Sequence, residues 1–319
     1  MLFLFFSLLS SSAFCWDLPA SIGPQLQDSL LLRYTEQAEP KPNGDSSHIP
    51  AGIESHNFSF SVPVAKNQKD NWSLLGRAAW LDIHSAAMLP SGANIPNTLM
   101  DTRIGFAFTH QLGGERSWGL TSSFGSASDK PFSSGQVDTI NANGTYAFSE
   151  SERSRWMLFL NYSNNRGFLN NIPLPGFAYI YTPSKAFTGV FGVPFAMLNW
   201  RIDNSDWSLN AMLFFPRFGK LEAVYSKWRP LSLFAALEAT EQSFLRLNRT
   251  YVDNRLVYLE SRSLIGARSP LSKTLLAELS GGYAFARSFY EADKFSDRNS
   301  NSVSIASGAI YMATISARF

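Results

Sequence analysis

The segment that decides the fold is the last one, Val303 to Phe319, which reads VSIASGAIYMATISARF. Apolar side chains such as Tyr311 and Ile315 fall on every second position of this segment, and Thr314 and Ser316 fall between them. Alternation with a period of two predicts a β-strand that has one apolar face and one small or polar face.

Segments with the same period recur along the chain, for example Phe58 to Val64, Trp156 to Tyr162 and Leu209 to Phe215. Most of them are about 10 to 15 residues long, whereas strands of soluble proteins usually have about 5 to 6 residues. A strand that crosses a bilayer at a tilt needs about 9 to 11 residues. The lengths therefore favour a transmembrane β-barrel over a soluble β-sandwich.

The composition narrows the class of protein further. The 319 residues are 45% hydrophobic and 14% aromatic, but only 16% of them are Asp, Glu, Lys or Arg. Low charge with many aromatic residues excludes an intrinsically disordered chain, and no run of about 18 to 20 apolar residues predicts a transmembrane helix. The net charge of +2 gives no field that favours nucleic acid, so no nucleic-acid partner is expected.

The connections between the predicted strands alternate between short and long, which is typical of outer-membrane barrels with short periplasmic turns and long outer loops. We count about fourteen strands, the first within Leu26 to Glu36, or twelve if the two N-terminal candidates lie outside the wall. The predicted fold is all-β, a transmembrane antiparallel up-and-down β-barrel. The predicted outer loops are residues 37–55, 85–99, 127–136, 165–186, 241–254 and 288–302.

The predicted loop at 165–186 is unusually rich in apolar and aromatic residues, including Phe168, Phe177 and Tyr181. Such a loop could fold into the barrel mouth as a constriction, or it could cover the rim. Alternatively, residues Ala178 to Thr182 extend the next strand upward.

The N-terminus predicts export. Leu2 to Leu9 is a short apolar block followed by small residues, which fits a secretory signal peptide over residues 1–15 and is too short to span a bilayer as a helix. Cleavage after Cys15, the only cysteine, would leave residues 16–319 as a single barrel domain without a thiol. An exported chain without disulfides suits a bacterial envelope.

The last strand resembles the terminal strand of bacterial outer-membrane β-barrel proteins, because its side chains alternate and it ends on Phe319. The similarity is to outer-membrane barrel families whose function is not defined. It implies that Tyr311, Ile315 and Phe319 form a signal that the barrel-assembly machinery reads. It also implies a location in the bacterial outer membrane, with membrane lipid as a partner.

Tryptophan residues lie beside several of the predicted turns. Trp and Tyr prefer the membrane–water interface, because the ring is apolar while its N–H or O–H group needs a polar partner. The candidate interface aromatics are Trp72, Trp80, Trp118, Trp156, Trp200, Trp207 and Trp228.

Four predicted strands near the C-terminus each carry a glutamate close to the middle. A charge that faces lipid at mid-bilayer is unfavourable, so these side chains are predicted to face the lumen. The candidate lumen-lining residues are Glu222, Glu238, Glu260, Arg262 and Glu278, with Arg77, Arg103 and Arg255 as further candidates for balancing their charge. They could form a filter for solutes or a polar network that supports the wall.

No catalytic motif or metal-ligand spacing occurs in the sequence, so we predict neither an enzyme nor a metal or cofactor site. The predicted function is a monomeric pore or transporter for small solutes. The alternatives are a structural or adhesive barrel with a filled lumen and, less favoured, a membrane-embedded lipid-modifying enzyme that would use His84 or His110.

Overall fold

The computed structural model describes residues 31–38, 49, 51–85, 87–166, 169–215 and 218–318. These residues form a single antiparallel sheet and one short 3-10 helix, Phe295–Asp297. The strands are β1 (Leu31–Ala38), β2 (Gly52–Lys66), β3 (Asp70–His84), β4 (Thr98–Gly113), β5 (Arg116–Ser128), β6 (Asp138–Ser151), β7 (Ser154–Ser163), β8 (Leu174–Ser184), β9 (Phe187–Val193), β10 (Phe195–Arg201), β11 (Trp207–Phe214), β12 (Phe218–Tyr225), β13 (Ser232–Phe244), β14 (Arg255–Pro270), β15 (Leu275–Ala292), β16 (Ser302–Ile305) and β17 (Gly308–Arg318).

The sheet closes on itself. From β1 to β16 each strand pairs with its neighbours in the sequence, and β1 pairs with both β2 and β17, so that Leu31 lies opposite Ser61 on one side and Arg318 on the other. Because β16 and β17 both pair with β15, they occupy one position in the wall. The wall therefore has sixteen positions, and the predicted all-β, antiparallel up-and-down barrel is confirmed.

The number of strands is higher than the predicted fourteen, for two reasons. Residues 165–186 are not one outer loop, because β8 lies within them and pairs with both β7 and β9. The segment 187–202, which reads as one strand, is divided at Pro194 into β9 and β10, which pair with each other. Proline has no backbone N–H group, so it cannot donate a hydrogen bond to a neighbouring strand, and the chain reverses there.

The predicted first strand and signal lie partly outside the described residues. The strand predicted from Leu26 corresponds to β1, which is described from Leu31. The predicted signal peptide at 1–15 and the terminal Phe319 are both outside the described part of the chain.

Side chains alternate between the inner and outer faces of the barrel wall. On β7, for example, Met157 and Phe159 are buried, with 0% and 8% of their surface exposed, whereas Leu158 and Leu160 on the opposite face are about half exposed. The same pattern gives the barrel an apolar outer face and an inner face that holds most of the buried polar groups.

The two ends of the barrel differ. At one end, called here the short-turn end, several tight turns bond to the neighbouring strand, as in the hydrogen bonds from the Thr182 N–H to the Arg153 carbonyl and from the Arg201 N–H to the Ala186 carbonyl, 2.8 and 2.7 Å long. The opposite end, called the long-loop end, carries most of the longer connections, including 85–97, 129–137 and 245–254. Within the described residues, no helix is long and apolar enough to cross a membrane.

Candidate functional site

A ladder of charged and polar side chains crosses the inner face of five neighbouring strands, β11 to β15. Its first centre is Glu222 on β12, which is 0% exposed. The carboxylate of Glu222 accepts hydrogen bonds from Asn210 Nδ2 at 3.1 Å and from Arg268 Nη2 at 2.7 Å, and Lys220 Nζ lies 3.1 Å away. Three donors thus satisfy a carboxylate that water does not reach.

The second centre is Glu238 on β13. Its carboxylate lies 3.0 Å from Lys220 Nζ and accepts hydrogen bonds from Arg262, whose Nη2 is 2.6 Å away. Lys220 therefore bridges Glu222 and Glu238, and Arg262 continues the ladder to β14. The register produces this continuity, because Lys220, Glu238 and Arg262 are directly opposite one another across three strands.

The third and fourth centres are Glu260 and Glu278. Glu260 accepts a hydrogen bond of 2.7 Å from the Tyr258 hydroxyl and lies 3.4 Å from Arg287 Nε. Glu278 on β15 lies 3.2 Å from Nε of Arg268, its cross-strand partner. Four acidic side chains and four basic ones therefore share the ladder, and its formal charges cancel.

The five predicted lumen residues all lie in this ladder, which places them together on the inner face. Sequence reasoning missed three of the basic members, Lys220, Arg268 and Arg287. Lys220 lies two residues before Glu222 and so shares its face, which is a signal that the sequence does contain. Arg268 and Arg287 meet their carboxylates only across strands, so their roles depend on the register.

The candidate balancing residues have other surroundings. Arg77 and Arg103 flank Asp101 on the far side of the barrel, with Nε to carboxylate distances of 3.7 and 2.6 Å. Arg255 is at the long-loop end, where a guanidinium nitrogen lies 3.9 Å from Asp293. In these contacts the carboxylate partners are Asp101 and Asp293, which are not members of the ladder.

Apolar side chains replace the charges on the inner face at the long-loop ends of β10 to β12. Phe195 and Phe218 are 1% and 3% exposed, and Phe214 stacks on Phe195 with ring centroids 6.5 Å apart. Met197 and Met212 form the next level towards the ladder. The interior therefore changes from aromatic to thioether to charged groups along these strands.

A second apolar cluster, called here the cap, closes the interior at the long-loop end between β13 and β5. It combines inward side chains of the longer strands with loop residues: Ala51, Ile53, Leu81, Ile83, Ala87, Leu89, Ile95, Leu99, Ala127, Phe244, Leu256, Tyr258, Phe289 and Ile305. All of these residues are 7% exposed or less. Burial of this kind fills the upper lumen with side chains instead of water.

The connection between β13 and β14 holds the cap shut. Arg246 forms a bidentate pair with Glu291, with hydrogen bonds of 2.8 and 2.7 Å. The Leu245 N–H donates to the Ala127 carbonyl at 2.7 Å, across the mouth on β5. Arg249 donates to the Gln136 carbonyl at 2.8 Å, and partial burial lowers the pKa of its guanidinium from the ordinary value.

Aromatic side chains form a girdle on the outer face at the short-turn end. Trp72 and Trp118 both pack against Phe108, with ring centroids 4.3 and 5.0 Å apart, and Trp207 packs against Tyr225 at 4.9 Å. Trp156, Trp200 and Trp228 lie at the same end. Trp80 is different, since it lies towards the long-loop end and stacks on His56 at 5.0 Å.

The two candidate histidines are at opposite ends of the barrel. His110 Nδ1 lies 2.6 Å from Asp70 at the short-turn end, and His84 Nε2 lies 3.6 Å from Glu54 at the long-loop end. Each ring thus lies beside a carboxylate that could orient it, and His110 also contacts the rings of Phe108 and Trp118. No group of three or more His, Cys, Asp or Glu side chains that could hold a metal ion occurs in the described part of the chain.

Comparison with known proteins finds similarity in structure only. No family model matches the chain, and no curated protein matches it by sequence. Among solved structures, the chain is similar to an outer membrane channel from Pseudomonas putida F1, with 8% identity, a TM-score of 0.38, and 91% of this chain and 95% of that chain covered. It is also similar to the toluene transporter TodX of Pseudomonas putida, with 9% identity, a TM-score of 0.36, and coverage of 98% and 92%.

A third similar structure is the NanC porin, with 8% identity, a TM-score of 0.31, and coverage of 91% of this chain and 100% of that chain. Identities and TM-scores this low do not transfer a solute or a mechanism. The fold assignment rests on the strand pairing of this chain itself.

Proposed function

We propose that this protein is an outer-membrane β-barrel that conducts small solutes through its interior. The observation that carries the proposal is the closed wall of sixteen strand positions. Small barrels of about eight strands are filled by their own side chains, whereas barrels of about 16 to 18 strands enclose an aqueous channel.

Three features support a membrane location. The outer face is apolar, the aromatic girdle follows one rim, and long loops gather at the opposite end. This combination fits a barrel whose girdle lies at the periplasmic interface and whose long loops face outward. Membrane lipid is then the partner of the outer face, and the barrel acts as a monomer.

The charged ladder leaves this part of the channel wall without net charge. Each of its glutamates lies within 3.4 Å of at least one basic group, so none presents an isolated negative charge to a passing cation. Solutes would therefore be selected by size and by hydrogen bonding more than by their net charge.

Single-channel recording in planar bilayers tests the proposal directly. Folded protein should produce discrete conductance steps, with a permeability ratio for K⁺ and Cl⁻ close to one because the ladder is neutral. Conduction would be contradicted if bilayers stayed silent both with the wild type, shown to be folded by its heat-dependent gel mobility, and with a folded variant whose cap is loosened.

A second candidate function is favoured by one observation. The cap fills the long-loop end with apolar side chains, which suits a structural or adhesive barrel whose lumen is blocked. Under that reading the bilayers stay silent even when the cap is loosened by substitution, whereas a gated channel opens.

The last strand is proposed as the assembly signal. Tyr311 and Ile315 face outward and are 61% and 50% exposed, with Phe319 beyond the described residues. An outward row of apolar side chains on the strand that closes the barrel is accessible to a partner before closure. The proposed partner is the barrel-assembly machinery.

A further inference from the structure

A groove, called here the outer groove, crosses the outer face of the barrel from β11 to β15 and β17. It has a volume of about 1160 Å³, whereas ligand pockets usually have about 300 to 1,000 Å³. Most of the residues that line it point outward, and among them Ile265, Leu279 and Tyr311 are 70%, 67% and 61% exposed. The outer groove is therefore open on the side that faces the membrane.

Small side chains produce the outer groove. The outer surface of a closed barrel is convex, so a concave region there requires side chains of little volume. On β12 and β13 these are Ala223 and Ala235, which lie directly opposite each other. On β15 and β17 they are Gly281 and Ala313. The surface thus remains apolar where its side chains are smallest.

Aromatic side chains lie at the foot of the outer groove, which is its part next to the short-turn end. Trp207 and Tyr225 both line it, with ring centroids 4.9 Å apart, and Trp228 packs edge-on against Tyr225 at 5.4 Å. Such side chains prefer the membrane–water interface. In the proposed orientation, the foot therefore lies at the level of the headgroups of the periplasmic leaflet, and the rest of the groove extends into the hydrocarbon.

The two turns at the foot of the outer groove are basic. The turn between β12 and β13 carries Lys227 and Arg229, the turn between β14 and β15 carries Lys273, and all three side chains are exposed. Neither turn contains an acidic residue. The centres of the two turns are about 10 Å apart, because two strand spacings of about 4.8 Å separate them. The next turn, between β10 and β11, carries Asp203 and Asp206, so the positive charge does not continue along the rim in that direction.

We propose that the outer groove and its two basic turns form a binding site for an anionic phospholipid of the periplasmic leaflet. The phosphate of the headgroup binds among Lys227, Arg229 and Lys273, and an acyl chain lies in the groove above the aromatic side chains. Basic residues next to a membrane attract anionic lipid headgroups, and the apolar groove suits a hydrocarbon chain. The site rests on the proposed membrane location and orientation, and it does not depend on conduction.

A second copy of this chain fits the outer groove less well than a lipid does. A two-fold axis places the same surface patch of both copies face to face. Two facing grooves would leave an empty space between them, which forfeits dispersion contacts, and would bring the basic turns of both copies together. A flexible acyl chain instead adapts to the shape of the groove.

Native mass spectrometry of the folded protein in detergent tests the site with two lipids that have identical acyl chains. Dioleoylphosphatidylglycerol is anionic, whereas dioleoylphosphatidylcholine has no net charge. The wild type should retain the anionic lipid at an about tenfold lower lipid concentration, because only this lipid places a net negative charge beside the three cations.

Removal of the positive charge should abolish this preference. The triple variant Lys227→Gln, Arg229→Gln and Lys273→Gln should retain both lipids at similar concentrations, because the groove is intact while the headgroup partners are lost. The matched control removes three exposed basic residues from other turns of the same rim, Lys69→Gln, Arg153→Gln and Lys185→Gln. It has the same net charge as the first variant and should keep the wild-type preference.

A larger side chain in the outer groove tests the position of the acyl chain. Ala235→Phe places a ring where the groove is lined by a methyl group, so retention of both lipids should weaken severalfold. Ala142→Phe is the control, because Ala142 lies on the outward face of β6, two residues after the exposed Ile140. Heat-dependent gel mobility shows that both variants are folded, since the added rings face lipid.

The outcomes separate the lipid site from the proposed function. Equal retention of the two lipids by the wild type rejects an anionic site. An unchanged preference in the triple variant, or unchanged retention by Ala235→Phe, rejects the assigned position. A wild-type dimer that Ala235→Phe abolishes would show that a second copy occupies the groove instead. Failure of the conductance test with normal lipid retention rejects conduction alone, whereas a protein that stays soluble without detergent rejects the membrane location and the site together.

Discussion

Single residues acquire their roles in this barrel from the partners that the wall places opposite them. Glu238 on β13 is buried between Lys220 on β12 and Arg262 on β14, and the three are neighbours only because their strands pair in one register. A buried ion pair adds little net stability compared with apolar packing, but removal of one partner is costly because it strands the other charges. The ladder therefore penalises incorrect register more than it increases stability.

Replacement of Glu238 by Gln should destabilise the folded barrel by about 3 to 5 kcal/mol, because Lys220 and Arg262 then share no carboxylate between them. Urea unfolding in lipid vesicles measures the effect. The matched control is Glu54→Gln, whose side chain is 42% exposed and lies beside the exposed His84, and it should cost about 0 to 1 kcal/mol. Equal losses of unfolding free energy for both variants would show that the ladder contributes no more to stability than an exposed ion pair.

The period of two is sufficient to predict some strands of this barrel and leaves others ambiguous. The long strands, such as β4 and β14, follow directly from alternation, since side chains on successive residues point to opposite faces. β8 was predicted within a loop because its prolines and aromatic residues are also typical of loops, although Phe177, Tyr179 and Tyr181 do alternate. β9 and β10 are separate strands because Pro194 interrupts the backbone hydrogen bonds between strands. This interruption is local, but the position of the two strands in the wall depends on the pairing of the whole sheet.

The terminal strand carries a prediction of its own. Phe319→Ala should reduce the fraction of protein that reaches the heat-modifiable, membrane-inserted form in cells severalfold, if the terminal aromatic is part of the assembly signal. The same variant, refolded in detergent, should unfold at nearly the wild-type urea concentration. Phe58→Ala, on the outward face of β2, should show the reverse behaviour, with normal assembly and lower stability. Normal assembly of Phe319→Ala would remove that residue from the signal.

The whole molecule is divided into a closed side and a low side. The cap and the connection between β13 and β14 that holds it shut unite the long strands from β13 round to β5, while β9 to β12 end beneath them. One side of the wall thus protects a packed apolar core, and the other meets the membrane with a short rim. This asymmetry results from the strand lengths together with the loop contacts, so it cannot be predicted from any single strand or loop.

Removal of the ion pair between Arg246 and Glu291 should open the mouth of the barrel. Arg246→Met with Glu291→Gln removes the bidentate pair without stranding either charge, so the barrel should remain folded while the 245–254 connection loosens. Single-channel conductance should increase above that of the wild type. Lys294→Gln, an exposed change in the neighbouring loop, is the control and should leave conductance unaltered. An unchanged conductance in the double variant would show that the connection does not obstruct the path.

The sequence by itself determined the all-β class, the membrane type of barrel and the alternation of faces. These properties are local, because a period of two and the chemistry of each side chain are written within a few neighbouring residues. Only the tertiary structure decided that sixteen strand positions close the wall, that Arg268 and Arg287 complete the ladder, and that the wall is low at β9 to β12. Those features depend on which distant residues lie opposite each other, and that choice is made by register and closure across the entire sheet.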